Sequence, residues 1–407
     1  MALKSEIPSL KGSLERSRIV LLILACPMKN TKTIYLSIGS NLGNKLNNLQ
    51  NAVLQLSRVV GRLTGLSPVY KSPSWGFEGD TFLNACLAIE TNMGPETILR
   101  AVLGIETAMG RERLEEKGYQ SRTIDIDLLY YGDEIINSAA LSVPHPQLPN
   151  RKFVLKPLAD IAPQFYHPKL RKDTRNLLQE CRDETQPLKL SKKLYPNREA
   201  LFSDLNFMAI EGNIGAGKTT LAKKIAEHYN GKLVLERFAD NPFLPKFYAD
   251  PSRYAFPLEM SFLADRYQQF TDDTSQFDLF KSFMVSDYDI FKSLIFARIT
   301  LPNEEFGLYR KVFDFMYREV KKPGVYVYLY QHTARLMENI RKRGRDYERH
   351  IQPDYLEKIN RGYLDFIKGL PQQLSLILDL SPYDFVERET DFEAVVGKIQ
   401  EHLMKED

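Results

Sequence analysis

The sequence predicts two α/β domains in tandem, an α+β unit followed by a P-loop unit with a parallel sheet and many helices. Three observations lead there. Strand and helix signals alternate from Thr33 to about Pro168. A polar, charged stretch from Asp183 to Leu205, with "KLSKKLYPNRE" at its heart, then breaks the pattern. A new start follows in "NFMAIEGNIGAGKTTLAKKIAEHY": an apolar strand, a glycine-rich loop and a helix. At 407 residues the chain is also too long for one ordinary core. The expected division is an extension over 1–30, a first domain over 31–190, a linker over 191–205 and a second domain over 206–407.

The extension contains "RIVLLILAC", Arg18 to Cys26, an apolar run behind basic residues. It is far short of the roughly 20 residues a spanning helix needs. A short signal peptide or lipoprotein cleavage box would look similar. The blander reading is an unstructured segment ahead of Met28. The first domain then runs "TIYLSIGS" as strand, "NLGNKLNNLQNAVLQLSRV" as turn and helix, and "TFLNACLAIET" as strand. "GPETILRAVLGIETAMG" is helix, "TIDIDLLYYG" strand, and "VPHPQLPNRKFVLKPLADIAP" a proline-punctuated loop entering a helix. "DTRNLLQEC" adds one more short helix. The second domain is mostly helical beyond its loop, with short strands at "KLVLE", "VYVYLY" and "LSLILDL".

Composition narrows the function. The chain is 43% hydrophobic and 26% charged, an ordinary globular balance. A net charge of +3 gives no reason to expect a nucleic-acid partner. Three scattered cysteines, Cys26, Cys86 and Cys181, make neither a disulfide framework nor a zinc pattern, which favours a reducing cytoplasm.

"SRTIDIDLLYYG", Ser121 to Gly132, interrupts an apolar strand with two aspartates. Alternate strand residues share a face about 6–7 Å apart, so Asp125 and Asp127 lie side by side and repel unless a cation separates them. Hard oxygen ligands suit magnesium, which fills its shell with water and phosphate oxygens. A solvated strand with alternating charges would give the same spacing. Arg111, Arg113 and Arg122 upstream, and His145 and Arg151 downstream, favour a polyphosphate site over that reading, although a surface salt-bridge cluster would look alike.

Residues from about 33 to 190 resemble the 6-hydroxymethyl-7,8-dihydropterin pyrophosphokinase family. The resemblance rests on "SIGSNLGN", "KSPSWG", "FLNACLAIET", "IETAMGRER", "RTIDIDLLYYG", "VPHPQLPNRKFVLKPLADIAP" and "HPKL", in that order. It implies a ferredoxin-like α+β fold and transfer of pyrophosphate from ATP to the pterin hydroxymethyl group, leaving AMP. It implies that Asp125 and Asp127 ligate two Mg2+ ions and that Arg111 and Arg122 steady the polyphosphate on a mobile loop. Glu106, His145 and Arg151 fall at nucleotide-binding positions, and Ser72, Pro73, Phe82, Asn84 and Phe153 around the pterin. Tyr119 stands where the family often has a tryptophan, and the loop is one residue longer than usual.

"GNIGAGKT", Gly212 to Thr219, fits the phosphate-binding pattern G-x-x-x-x-G-K-[ST] between a strand and a helix. Gly212, Asn213, Gly215, Ala216, Gly217, Lys218, Thr219 and Thr220 would wrap the phosphates of ATP. Lys218 would reach the β- and γ-phosphates, and the Thr219 hydroxyl the magnesium. "LVLERFADNPFLPKFYADPSRYAFPLEMSFLADRYQQF" and "RKRGRDYERHIQPDYLEKINRGYLDF" extend this into a resemblance to the deoxynucleoside kinase family over about 206–404. By that resemblance Glu236 takes the 5′-hydroxyl proton, Tyr248 and Glu348 hold the sugar 3′-hydroxyl, and Arg343 and Arg345 belong to a lid over the transferring phosphate. Arg341 is near but unmatched.

Two departures stand out. "VSDYDIFKSLIFA" keeps Asp287 but has Tyr288 where the family often has a substrate-contacting arginine; Lys292, about one turn later, is the candidate substitute. Glu259 stands where many members have a base-reading glutamine. An ionised carboxylate only accepts, which suits guanine's donor pair. The leading expectation is therefore a bifunctional, cytoplasmic, Mg–ATP-dependent enzyme acting on small molecules, dimeric through its kinase half. A degenerate kinase-like module, or a kinase for monophosphates, are the competing readings of the second half.

Overall fold

The computed structural model describes residues 31–74, 79–111, 121–237, 241–275, 280–345, 348–349 and 351–405. Cys26, Met28, Arg113 and Tyr119 lie outside the described residues. The chain divides into two compact units, the first ending at Leu194 and the second beginning at Tyr195.

The first unit is built on β1 (Lys32–Ser40), α1 (Lys45–Val59), β2 (Arg62–Leu66), β3 (Tyr70–Ser72), β4 (Phe82–Thr91), α2 (Pro95–Ala108) and β5 (Asp125–Tyr131). A two-residue hairpin, β6 (Ile136–Asn137) with β7 (Ser142–Val143), leads to α3 (Lys152–Ile161), α4 (Thr174–Glu180) and β8 (Leu188–Lys189). The sheet runs β5-β1-β4-β3-β8, with β2 also on β4, and every pairing is antiparallel. β1 and β4 are buried on both faces, so their apolar runs lack the alternation of a half-exposed strand. One core gathers Cys86, Leu129 and Tyr130 from the sheet with Val154, Leu155 and Leu158 from α3. Asn44 caps α1, its side chain accepting the Asn47 N–H at 3.2 Å.

The second unit is a five-stranded parallel sheet with helices around it. Its elements are α5 (Arg198–Leu205), β9 (Phe207–Gly212), α6 (Lys218–His228), β10 (Gly231–Val234), α7 (Leu244–Ala249), α8 (Pro251–Ser275) and β11 (Phe283–Ser286). α9 (Lys292–Thr300), α10 (Asn303–Tyr317), β12 (Val325–Tyr330), α11 (Thr333–Arg343), α12 (Pro353–Lys368), β13 (Ser375–Asp379) and α13 (Glu389–Leu403) complete it. The strand order is β10-β11-β9-β12-β13. β9 is central and its carboxyl end opens into the glycine loop, where ligands bind in open α/β sheets.

The expected linker over 191–205 is corrected by α5. Asn197 caps this helix by accepting the Ala200 N–H at 2.8 Å. Leu201 and Phe202 are buried, and the Phe202 ring packs 5.5 Å from that of Phe283 on β11. Polar neighbours hid these two apolar residues, which one short helix turns inward. β8, in the same charged stretch, pairs with Tyr70 and Lys71 and belongs to the first sheet. The described strands β2, β3, β8 and β11 were not read from the sequence; each is five residues or fewer.

Candidate active sites

In the first unit the site follows from strand register. Directly paired residues of an antiparallel sheet put their side chains on one face. Asp125 pairs with Gly39 and Gly39 with Asn84; Asp127 pairs with Ser37 and Ser37 with Cys86. Cys86 Sγ lies 3.6 Å from the Val154 carbonyl of α3, so α3 covers this face and its start reaches the aspartates. There Arg151 Nη1 stands 3.6 Å from Asp127 Oδ2. Gly39 keeps the row open, since a Cβ would stand 3.1 Å from Asn84 Oδ1. The row continues to Phe82 and its partner Ser72, and Asn84 Nδ2 donates to Ser72 Oγ at 2.9 Å.

Three arginines answer the two carboxylates. Arg111 and Arg122 each place Nη1 on Asp125, at 2.7 and 2.8 Å, and Arg151 faces Asp127. Arg111 also pairs with buried Glu106, whose Oε1 accepts the Ile126 N–H at 2.9 Å and so fixes the edge of β5. The Arg122 amide donates to Asn41 Oδ1, which orients that arginine. Burial and then Asp125 push the Asp127 carboxyl up to about 6, partly offset by Arg151. Burial and Arg151 hold His145 down at about 4, so its ring is neutral. The Gln147 N–H points to His145 Nδ1 at 3.2 Å, which leaves the proton on Nε2 as a donor. Two hard carboxylates on one face, one of them pushed up by the other, fit a divalent cation. No group of three acidic, histidine or cysteine side chains joins them among the described residues, so phosphate oxygens and water would complete such a shell.

In the second unit β9 ends at Gly212 and α6 begins at Lys218. Gly217 caps α6 at φ +92, a left-handed value, and a Cβ there would meet the Phe385 ring at 2.9 Å. Lys218 Nζ donates to the carbonyls of Gly212 and Asn213, both at 2.9 Å, closing the loop on itself. Burial and then Lys292 lower Lys218 to about 8. Asn213 ties the loop to α12 through Leu356 O and Asn360 Oδ1, and Asn339 of α11 donates to Gly215 O at 2.9 Å. Thr219 Oγ1 donates to Asp287 Oδ2. Gly215, Ala216, Gly217 and Thr220 line an open cleft with Arg343 and Arg345.

A second cavity adjoins it, sharing Lys218 and Thr219 and lined also by Glu236, Glu259, Lys292 and Glu348. Glu236 is fully paired: Oε1 accepts from Arg266 Nε at 2.8 Å and Oε2 from Lys292 Nζ at 2.6 Å. Burial would raise this carboxyl, but Lys292 and Arg266 outweigh it and hold it at about 2. Glu259 differs. Its Oε1 accepts from Thr300 Oγ1 at 2.9 Å, its Oε2 has no hydrogen-bond partner among the described residues, and burial pushes the carboxyl up to about 7.

Residues 35–163 match the family described as 7,8-dihydro-6-hydroxymethylpterin-pyrophosphokinase. Residues 208–404 match the family described as deoxynucleoside kinase. A deoxyguanosine kinase of Bacillus subtilis (strain 168) is 36% identical over 202 residues, covering 49% of this chain and 98% of its own. A 2-amino-4-hydroxy-6-hydroxymethyldihydropteridine pyrophosphokinase of Synechocystis sp. is 38% identical over 144 residues, covering 35% of this chain and 73% of its own. A deoxyadenosine/deoxycytidine kinase of Bacillus subtilis (strain 168) is 30% identical over 202 residues, covering 48% of this chain and 91% of its own. The chain belongs to both families, one in each half.

The protein is thus a pterin pyrophosphokinase joined to a deoxynucleoside kinase. Its pyrophosphokinase half brings Asp125, Asp127, Arg111, Arg122, Arg151 and Glu106 together and places Ser72, Phe82 and Asn84 on the same sheet face. Phe153 lies 5.8 Å from the Arg151 guanidinium, and Pro73 is exposed just past β3. In its deoxynucleoside kinase half, Arg343 Nη2 donates to Glu348 Oε1 at 2.6 Å and Arg345 stands 3.5 Å from the same oxygen. Both arginines expected in the lid therefore rest on Glu348, the residue expected to hold the sugar. The Tyr248 side chain lies outside the described residues. Sequence reasoning left out Arg266 and gave no role to Asp287. Arg266 is seven residues beyond Glu259 on α8, so helical spacing was the available signal.

Proposed function

We propose that the first site takes the terminal pyrophosphate of Mg–ATP to the hydroxymethyl oxygen of the dihydropterin, and that the second phosphorylates the 5′-hydroxyl of deoxyguanosine before other nucleosides. The observation behind the first part is the meeting of Asp125, Asp127 and three arginines on one face. The pterin oxygen bonds to the β-phosphorus, the bridge to the α-phosphate breaks, and AMP leaves. Asp125 and Asp127 would hold the Mg2+, which when bound neutralises the polyphosphate. Arg111 and Arg122 would exchange Asp125 for phosphate oxygens, and His145 Nε2–H would donate to the nucleotide. Asn84, a planar amide, would read the pterin edge, with Ser72, Phe82 and Phe153 around the ring.

In the second site the loop from Gly212 to Thr220 would hold the triphosphate, with Lys218 leaving its two carbonyls for the β- and γ-phosphates. Thr219 would hold the Mg2+ there. Glu236 would accept the 5′-hydroxyl proton, Glu348 and Tyr248 would take the 3′-hydroxyl, and Arg343 and Arg345 would turn from Glu348 to phosphate as the lid closes. A screen of the purified protein settles both parts: AMP release with the pterin, ADP release with each of the four deoxynucleosides. No ADP with any nucleoside would overturn the second.

Base choice rests on Glu259, which lines the proposed nucleoside cavity and whose Oε2 has no hydrogen-bond partner among the described residues. Ionised, it accepts from guanine N1–H and N2–H2; protonated, it donates and accepts as an amide does, which suits adenine or cytosine. Because its carboxyl sits near 7 in the empty pocket, raising the pH from 6 to 8 favours the ionised form. The ratio of kcat/KM for deoxyguanosine over deoxycytidine should therefore rise with pH. In Glu259→Gln the ratio should be flat and lower, by about 1–3 kcal/mol of discrimination. A ratio that stays high in the mutant would rule Glu259 out as the base reader.

The kinase half is proposed to form the homodimer. Leu308 and Phe315 are exposed, seven residues apart on one face of α10. Phe315→Asp should shift the sedimentation coefficient to that of a single chain; an unchanged dimer would place the contact elsewhere.

A further inference from the structure

Lys292 is a buried cation in an expensive place. It is the first residue of α9 and 8% exposed. A helix N-terminus repels a cation. Its Nζ meets one carboxylate oxygen, Glu236 Oε2 at 2.6 Å, with the Phe296 ring 5.5 Å away. That carboxylate is already shared with Arg266, whose Nη1 is anchored on Ser293 Oγ at 2.8 Å. The two cations share this carboxylate, and buried Glu211 and Glu259 also act on Lys292 electrostatically. Lys292 lines the cavity that holds Lys218 and Thr219, at the carboxyl end of the parallel sheet. A cation held there beside the phosphate loop fits an anion that arrives with substrate.

The position where an arginine was expected does not compete for this role. Tyr288 is wholly buried, its ring edge-on to Phe270 at 6.0 Å, and it does not line the cavity. Glu236 has each oxygen bonded to a cation, so a hydroxyl must compete with one of them for the carboxylate. Arg266 is fixed by Ser293; the Lys292 ammonium, on a flexible stem, has no such second hydrogen-bond anchor among the described residues.

We propose that Lys292 is a catalytic residue of the deoxynucleoside kinase site, leaving Glu236 for the phosphoryl group as it transfers. The 5′-hydroxyl proton passes to Glu236 Oε2, the 5′-oxygen bonds to the γ-phosphorus, and the bond from that phosphorus to the β-phosphate oxygen breaks. ADP departs with the electron pair. Lys292 donates an N–H to an oxygen of the moving group and keeps its proton. This rests on the reading of Glu236 as the base.

The test uses the full-length protein with ATP and deoxyguanosine, reading kcat and KM separately, with the circular dichroism melting profile of each variant as the control for folding. Lys292→Met should lower kcat by about 10²–10³ and leave KM within about threefold, because the contact forms only in the transition state. Lys292→Gln, which keeps a hydrogen bond to Glu236 and serves if the methionine variant misfolds, should lose as much. Lys292→Arg should recover about tenfold or more of the loss, since it restores the charge. A kcat within about threefold of wild type in the Met or Gln variant, or a loss that arginine does not recover, would overturn the proposal. Glu236→Gln, run alongside, separates the two ideas. If it stays active, the base assignment fails; if it is inactive while Lys292→Met is active, only the role of Lys292 fails.

Discussion

Asp127→Ala should cut AMP release with the pterin by about 10²–10³ while ADP release with deoxynucleosides stays at the wild-type rate. Lys218→Ala should give the mirror result. Asp127 lies in the first compact unit and Lys218 in the second, and each has its own charged neighbours there, Arg151 for Asp127 and Glu211, Glu236 and Asp287 for Lys218. Asp127 supplies one of the two carboxylates on this strand face, and nearby Glu106 is already engaged by Arg111 and the Ile126 N–H. The fold should tolerate the change. Burial and Asp125 hold the Asp127 carboxyl up at about 6, so its charged form costs stability above that pH, and removing it should leave the melting temperature at pH 8 no lower. Lys218 is a different case, because its ammonium closes the loop through Gly212 and Asn213. Its loss should loosen the loop as well as weaken phosphate binding. Both activities disappearing in a folded Asp127→Ala protein would end the model of independent sites.

The first site was legible because its chemistry sits on a strand. Period-two spacing alone puts Asp125 and Asp127 on one face, and the structure keeps them there. The same rule could not reveal that Gly39 and Asn84 continue the row, since that depends on the pairing of β1 with β4 and β5. The glycine loop was legible for a similar local reason: strand, loop and helix are consecutive, and Gly217 needs its left-handed φ. The nucleoside cavity was only half legible. Glu236 comes from the end of β10, Arg266 from α8 and Lys292 from α9, and spacing within any one segment does not bring them together. Lys292 was visible as a nearby charge; its 2.6 Å contact with Glu236 needed the fold. The charged stretch before β9 misled for the opposite reason. Its helix buries two side chains, Leu201 and Phe202, too few to mark a periodic pattern.

Glu236→Gln should lower kcat for deoxynucleoside phosphorylation by about 10²–10⁴, the range for removing a positioned base. The substitution keeps shape and one acceptor oxygen but loses the charge that two cations share. In the resting enzyme the carboxyl is held at about 2, so it is ionised throughout the working pH range. Arg266 and Lys292 make it a weak base while both hold it. With the proposed departure of Lys292 during turnover, the acid limb of kcat should lie above the resting value. Glutamine removes the carboxylate that both cations bond, so the pocket of the mutant gains positive charge. Nucleotide binding should consequently hold or tighten while turnover falls, and isothermal titration with ATP beside steady-state ADP release separates the two. Weaker ATP binding together with unchanged kcat would mean that Glu236 serves the fold of the pocket and that another group takes the proton.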